Sequence, residues 1–298
     1  CSSTPAAKKK ANQPALKRPT AVTQNIPKSQ IPANQKPEGL FQNALKFYNS
    51  KDYNKAHDFF LASAAGFSSS PNASHKETEA RLWSLRSLNQ AGRTIEVAQL
   101  SQPLLKSTET NEPTFAEVAE LRFQSLMTNH EYFEAFKLCS EVLGQDKSQS
   151  DSAEKEKHLK LRDLYLQRAH ELMDAKLQVE QLDIIAKELD TDRVLGTELK
   201  AHALLRLGEL ALEEKEISYA KNFFEKSFSL NVAVYSARSK QLLDQLDAVS
   251  KVNSQTIGAV LPMSGKFASV GQKTLRGLEL GLGLHSAVPS PYKLSVVD

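Results

Sequence analysis

The chain has 298 residues, 40% of them hydrophobic and 24% charged, with a formal net charge of +3. That length suits about two domains of ordinary globular composition. The near balance of Lys and Arg against Asp and Glu gives no basic surface of the kind that nucleic acid requires, and no run approaches the roughly 18 consecutive apolar residues of a membrane-crossing helix.

Cys1 is followed by Ser2, Ser3 and a polar stretch carrying Pro5, Pro14, Pro19, Pro27, Pro32 and the basic run Lys8, Lys9, Lys10. So little apolar surface cannot offset the entropy of ordering the backbone, so residues 1–36 are expected to be a disordered tether. Its root-mean-square span would be roughly 30 Å and its extended reach about 110 Å. A first-position cysteine ahead of such a linker resembles the start of a mature bacterial lipoprotein, from which the apolar signal segment has been removed. On that resemblance Cys1 is the lipidation site. Cys139, the second cysteine, is then unpaired, and burial in a helix is expected to protect it.

From residue 37 to 250 the texture is continuous helical periodicity, with small residues at Ala56, Ala98, Ala135, Ala175 and Ala220 at intervals of 42, 37, 40 and 45 residues. Each is expected near the start of the second helix of a helix pair, in units somewhat longer than the roughly 34 residues of a tetratricopeptide repeat. The last unit fits that pattern best: Leu204, Leu207, Gly208, Ala220, Phe224 and Ser227 fall at its large, large, small, small, aromatic and small positions, while Ala211 is too small for its place. The first unit follows with Leu40, Ala44, Phe47, Ala56, Phe60 and Ser63. Leu40, Ala44, Ala56, Phe60, Gly208, Ala220 and Phe224 are therefore the expected packing residues. The middle units are irregular, with Cys139 in an aromatic slot, Arg86 and Gln102 where apolar groups usually pack, and Leu159, Leu166, Ala175, Val179 and Leu182 aligned as the fourth unit. The fold class expected is mainly α, a tetratricopeptide-like helical solenoid whose surface binds peptides or protein segments. Trp83 is read as a core-packing residue.

Chemistry is scarce. Of the seven histidines, none is paired with another at the three- or four-residue spacing that sets two ligands on one helical face. GxSxG, HExxH, CxxC and phosphate-loop patterns do not occur. The reading is of a protein that is not an enzyme and needs neither metal nor cofactor.

The last segment, 251–298, changes texture. Ile257 to Leu261 reads as a buried strand, ended by Pro262; Ser264 and Gly265 make a turn, and a helix starts near Ser269 or Val270. After Pro289 and Pro291, Tyr292 to Val297 reads as a second strand, giving a βαβ unit with parallel strands and a right-handed crossover. An isolated unit of this kind cannot bury both faces of its strands, so it is expected to stay poorly ordered or merely to dock.

The run Ile257-Gly258-Ala259-Val260-Leu261-Pro262-Met263-Ser264-Gly265, with Phe267-Ala268, Gly271 and Arg276-Gly277-Leu278-Glu279-Leu280, resembles the opening of type I periplasmic binding proteins, including the acidic residue after the second strand, here Asp298. The resemblance implies the first βαβ unit of a truncated α/β binding-protein fold, with Ser264, Gly265, Lys266 and Phe267 as a possible cleft loop. A lipidated cysteine, a tether, tetratricopeptide-like repeats and this fold together are similar to the penicillin-binding protein activator lipoproteins of the LpoA type. That resemblance implies an outer-membrane lipoprotein facing the periplasm, which activates a peptidoglycan synthase by protein contacts and touches peptidoglycan. Ser2 after Cys1 agrees with outer-membrane delivery. The competing readings are a lipid-anchored, amino-acid-type solute receptor of an ABC transporter and a general envelope scaffold, and the sequence leaves open whether a small ligand is held.

Overall fold

A computed structural model describes residues 31–32, 35–69, 73–107, 113–144, 152–189, 194–251 and 255–298. Cys1 and most of the expected tether lie outside them. The chain divides into two compact bodies, one ending at Gly92 and the other starting at Arg93.

The first body is three helices, α1 (Pro37–Asn49), α2 (Tyr53–Ser68) and α3 (Ser74–Gln90), each packed on the next. Pro37 opens α1, where its missing N–H costs nothing, and Glu38 lies in the first turn, toward the positive end of the helix dipole. Leu40, Ala44, Ala56, Phe59 and Phe60 make the buried cluster between α1 and α2. Ala44 and Ala56 have no exposed surface, which lets the helices approach while Phe60 fills the space beside them. Trp83 of α3 is half-buried, stacked on Phe60 at 5.7 Å and edge-on to Tyr48 at 5.2 Å. Arg86 lies over the Trp83 ring at 4.4 Å, which explains how a charged residue occupies a position that usually packs.

The second body carries α4 (Thr94–Ser107), α5 (Pro113–Thr128), α6 (Tyr132–Leu143), α7 (Ser152–Ala175), α8 (Val179–Glu188), α9 (Val194–Glu213), α10 (Ile217–Ser229) and α11 (Ala233–Lys251). Contacts run α4–α5, α5–α6, α6–α7, α8–α9, α9–α10 and α10–α11, with α7 and α11 also touching α9. In α9 and α10, Gly208 is buried against the Phe224 ring, and Ala220 and Phe224 have no exposed surface. The Ser227 hydroxyl donates to the Ala201 carbonyl at 2.9 Å, so this buried polar group is satisfied.

Three helix-to-helix turns share one construction. Lys51, His130 and Lys215 have φ near +60°, and the N–H of the following acidic residue (Asp52, Glu131 or Glu216) bonds back to Phe47, Leu126 or Ala211 at 2.8–2.9 Å. This left-handed closure satisfies helix-end carbonyls and reverses the chain. The mainly helical architecture is thus built from tetratricopeptide-like helix pairs.

The fourth unit corrects its expected register. Ala175 is the exposed last residue of α7, and the buried fourth residue of α8, equivalent to Ala56 in α2, is Leu182. Leu159 and Val179 are also exposed. The slip has a physical source: α7 is 24 residues long, and a displacement of seven residues is almost two helical turns, so the apolar period looks the same in either alignment.

After α11 come β1 (Thr256–Val260), a 3₁₀ turn at Gly265–Phe267, α12 (Ala268–Gly281) and β2 (Lys293–Val297). The strands pair in parallel from Thr256↔Lys293 to Val260↔Val297. The alternation leaves Ile257, Ala259, Leu294 and Val296 half-buried on one face, while the other face, with Val260 at 82% exposure, stays open. Leu261 is buried just beyond β1 and donates its N–H to the Val297 carbonyl at 2.9 Å.

Candidate functional site

The loop from β1 to α12 holds the four expected cleft residues together. Gly265 has φ +70°, a left-handed conformation that glycine adopts without strain at this turn. Ser264, Lys266 and Phe267 are exposed. Asp298 closes the loop from β2: its Oδ1 accepts from the Met263 N–H at 2.7 Å and the Ser264 N–H at 3.3 Å. Hydrogen bonding from Ser264, then from the Met263 amide, holds the Asp298 carboxyl below the usual carboxylate range. Gly271 in α12 lies directly against the Pro262 carbonyl, where a Cβ would overlap backbone. The loop is thus fixed by one carboxylate and one close approach. Lys266 offers an ammonium and Phe267 an aromatic ring to solvent.

A second cluster escaped the sequence reading. His170 of α7 and His202 of α9 meet with their Nδ1 atoms 2.7 Å apart. His202 Nε2 lies 2.7 Å from Asp174 Oδ1, and His170 Nε2 lies 3.4 Å from Glu198 Oε1. Tyr235 of α11 stacks on the His202 ring at 5.0 Å and 12°, with its hydroxyl 3.4 Å from His170 Nδ1. Burial, then the neighbouring His202, hold His170 below the ordinary imidazole range. Burial pushes the Tyr235 phenol up to about 12, with Glu198 and Asp174 adding to the shift. Among the described residues no group of three or more His, Cys, Asp or Glu is placed to hold a metal ion.

The cluster leaves no histidine pair within one helix, because its two histidines sit on different helices. The signal present was a histidine and a carboxylate four residues apart on each of two helices, His170 with Asp174 and Glu198 with His202, a spacing that puts both groups on one face. Other polar contacts are structural: His57 Nδ1 and the Ser84 hydroxyl bond at 2.7 Å inside the first body, and Arg168 clasps Glu120 with two bonds of 2.7 and 3.0 Å.

No family model matches this chain, and no curated protein does. Among solved structures it is similar to a putative kinesin light chain of Podosopora anserina with nearly identical tetratricopeptide-like repeats. A substituted form of that protein gives 14% identity and a TM-score of 0.31 over 67% of this chain and 98% of that chain. The unsubstituted form gives 13% identity, with the same TM-score and coverage. At such values the helix-pair description rests on the turns and buried residues of this chain itself.

Proposed function

We propose that this protein is a non-catalytic regulator of cell-wall synthesis, in which helix pairs and a binding-protein-like loop present protein-binding surfaces to a peptidoglycan synthase of the penicillin-binding class. The observation that carries the reading is the succession of tetratricopeptide-like pairs and a parallel strand–loop–helix–strand segment whose loop is pinned by Asp298. Stacked helix pairs are suited to protein segments. The resemblance of Ile257 to Gly271 to binding-protein openings supplies the second half. In this proposal lipid on Cys1 anchors the protein to the outer membrane facing the periplasm, its acyl chains supplying nearly all the membrane affinity. Cys1→Ser should then release the protein from the membrane fraction, and unchanged detergent-phase partitioning would remove the anchor from the proposal.

The deciding experiment adds the purified full chain to a lipid II polymerisation and cross-linking assay with bifunctional synthases, and titrates the same preparation with amino acids by calorimetry. Stimulated synthesis without amino-acid binding is expected. Tight amino-acid binding without stimulation would replace this reading by the solute receptor, with Ser264, Gly265, Lys266 and Phe267 as its contacts.

A further inference from the structure

We propose that the His170–His202 pair is a one-proton latch between α7 and α9, closed at neutral pH and opened by acid. With Nδ1 atoms 2.7 Å apart, one nitrogen must donate and the other accept. The donor is set by the flanking carboxylate. His202 Nε2, 2.7 Å from Asp174, carries a proton because a carboxylate only accepts, so neutral His202 presents a bare Nδ1. His170 therefore donates from Nδ1, and its Nε2, facing Glu198 at 3.4 Å, is the free basic position. A first added proton leaves one N–H between the two Nδ1 atoms, whichever ring carries the charge, so the latch stays intact. A second would set two N–H groups and two positive rings against each other across 2.7 Å.

The groups facing the pair are Asp174 from α7, Glu198 from α9 and Tyr235 from α11, whose ring covers one side of His202. Arg238 of α11 is directed to Glu209 at 3.8 Å, and the charged groups that act on His170 are His202, Glu198 and Asp174. His202 is buried, so its ring cannot turn out to water without parting the helices.

The sign follows from proton counting. The closed state binds one proton fewer than two free imidazoles, so the latch is fully effective above the ordinary imidazole pKa of about 6.5 and weakens by about tenfold for each pH unit below it. The depressed affinity of His170 runs in the same direction. The titration belongs to the pair and not to either ring alone.

Hydrogen exchange of the full chain in EDTA at pH 7.5, 6.5 and 5.5, corrected for intrinsic rates, tests this. Amides of α7 and α9 should lose protection about tenfold over the last unit while those of α5 hold. His170→Gln keeps a neutral donor toward His202 and should abolish the acid loss; where that variant is unfolded by circular dichroism, His202→Gln takes its place. Equal loss in α5, or acid loss retained in a folded variant, overturns the latch. So does protection gained at pH 7.5 when Zn2+ replaces EDTA, which would assign the pair to a metal. Independently of any variant, the imidazole Cε1 proton resonances of the pair should show one titration step above pH 5, and two ordinary steps near pH 6.5 would refute the proposal.

Discussion

Gly208 and Gly271 are both glycines at a close approach, and their surroundings differ in what they permit. Gly208 of α9 lies against the Phe224 ring, inside a cluster that also holds Leu205, Ala220 and Leu242. Gly271 of α12 lies against the carbonyl of Pro262, beside a two-stranded sheet with an open face. A ring can be trimmed by substitution and a peptide carbonyl cannot. The helix pairs are therefore tunable by compensating side chains and transmit damage to their neighbours, while the strand–helix–strand segment fails locally and without remedy.

The largest break in this comparison is Phe224→Ala, which empties a fully buried site and should cost about 3–5 kcal/mol in urea or thermal unfolding, with loss of cooperativity in adjoining pairs. Gly208→Leu should cost about 1–3 kcal/mol through overpacking. Combining it with Phe224→Leu should recover part of that loss, giving a coupling measurable in a double-mutant cycle, and strict additivity would show that the two do not share one space. Gly271→Val should remove exchange protection across 256–298 while α9 and α10 keep theirs; loss in those helices would erase the contrast. Asp298→Asn should speed exchange of the Met263 and Ser264 amides alone. Because the folded carboxyl is held below its ordinary range, the wild-type contact is complete at neutral pH and is lost only as pH falls through that lowered value, so acid should reproduce the substitution. Smallest of all, Val260→Thr on the open sheet face should change stability by less than about 0.5 kcal/mol.

What the sequence made legible follows the range of the interactions. Leu204, Leu207, Gly208, Ala220 and Phe224 lie within one helix pair, so their small-and-large pattern is readable over a short window. The turn at Gly265 and the strand stop at Pro262 are punctuation carried by single residues. The fourth unit misled because a shift of nearly two turns preserves the apolar stripe, and only the left-handed turn signature, a residue such as Lys51, His130 or Lys215 ahead of an acid, could have anchored its neighbours. The His170–His202 contact lies beyond such reasoning, since it needs the packing of α7 on α9. The amide contacts of Asp298 span 34 and 35 residues, and the family resemblance marked the position without the bond.

Cys139 carries a practical consequence. It sits in α6 with no exposed surface, and burial pushes its thiol up to about 12. Thiolate, the form that reacts with oxidants and alkylating reagents, is then almost absent from the folded protein at any physiological pH. In a Cys1→Ser background its modification rate by a maleimide would count the openings of α6 directly, making this side chain a built-in clock for the middle of the helical array.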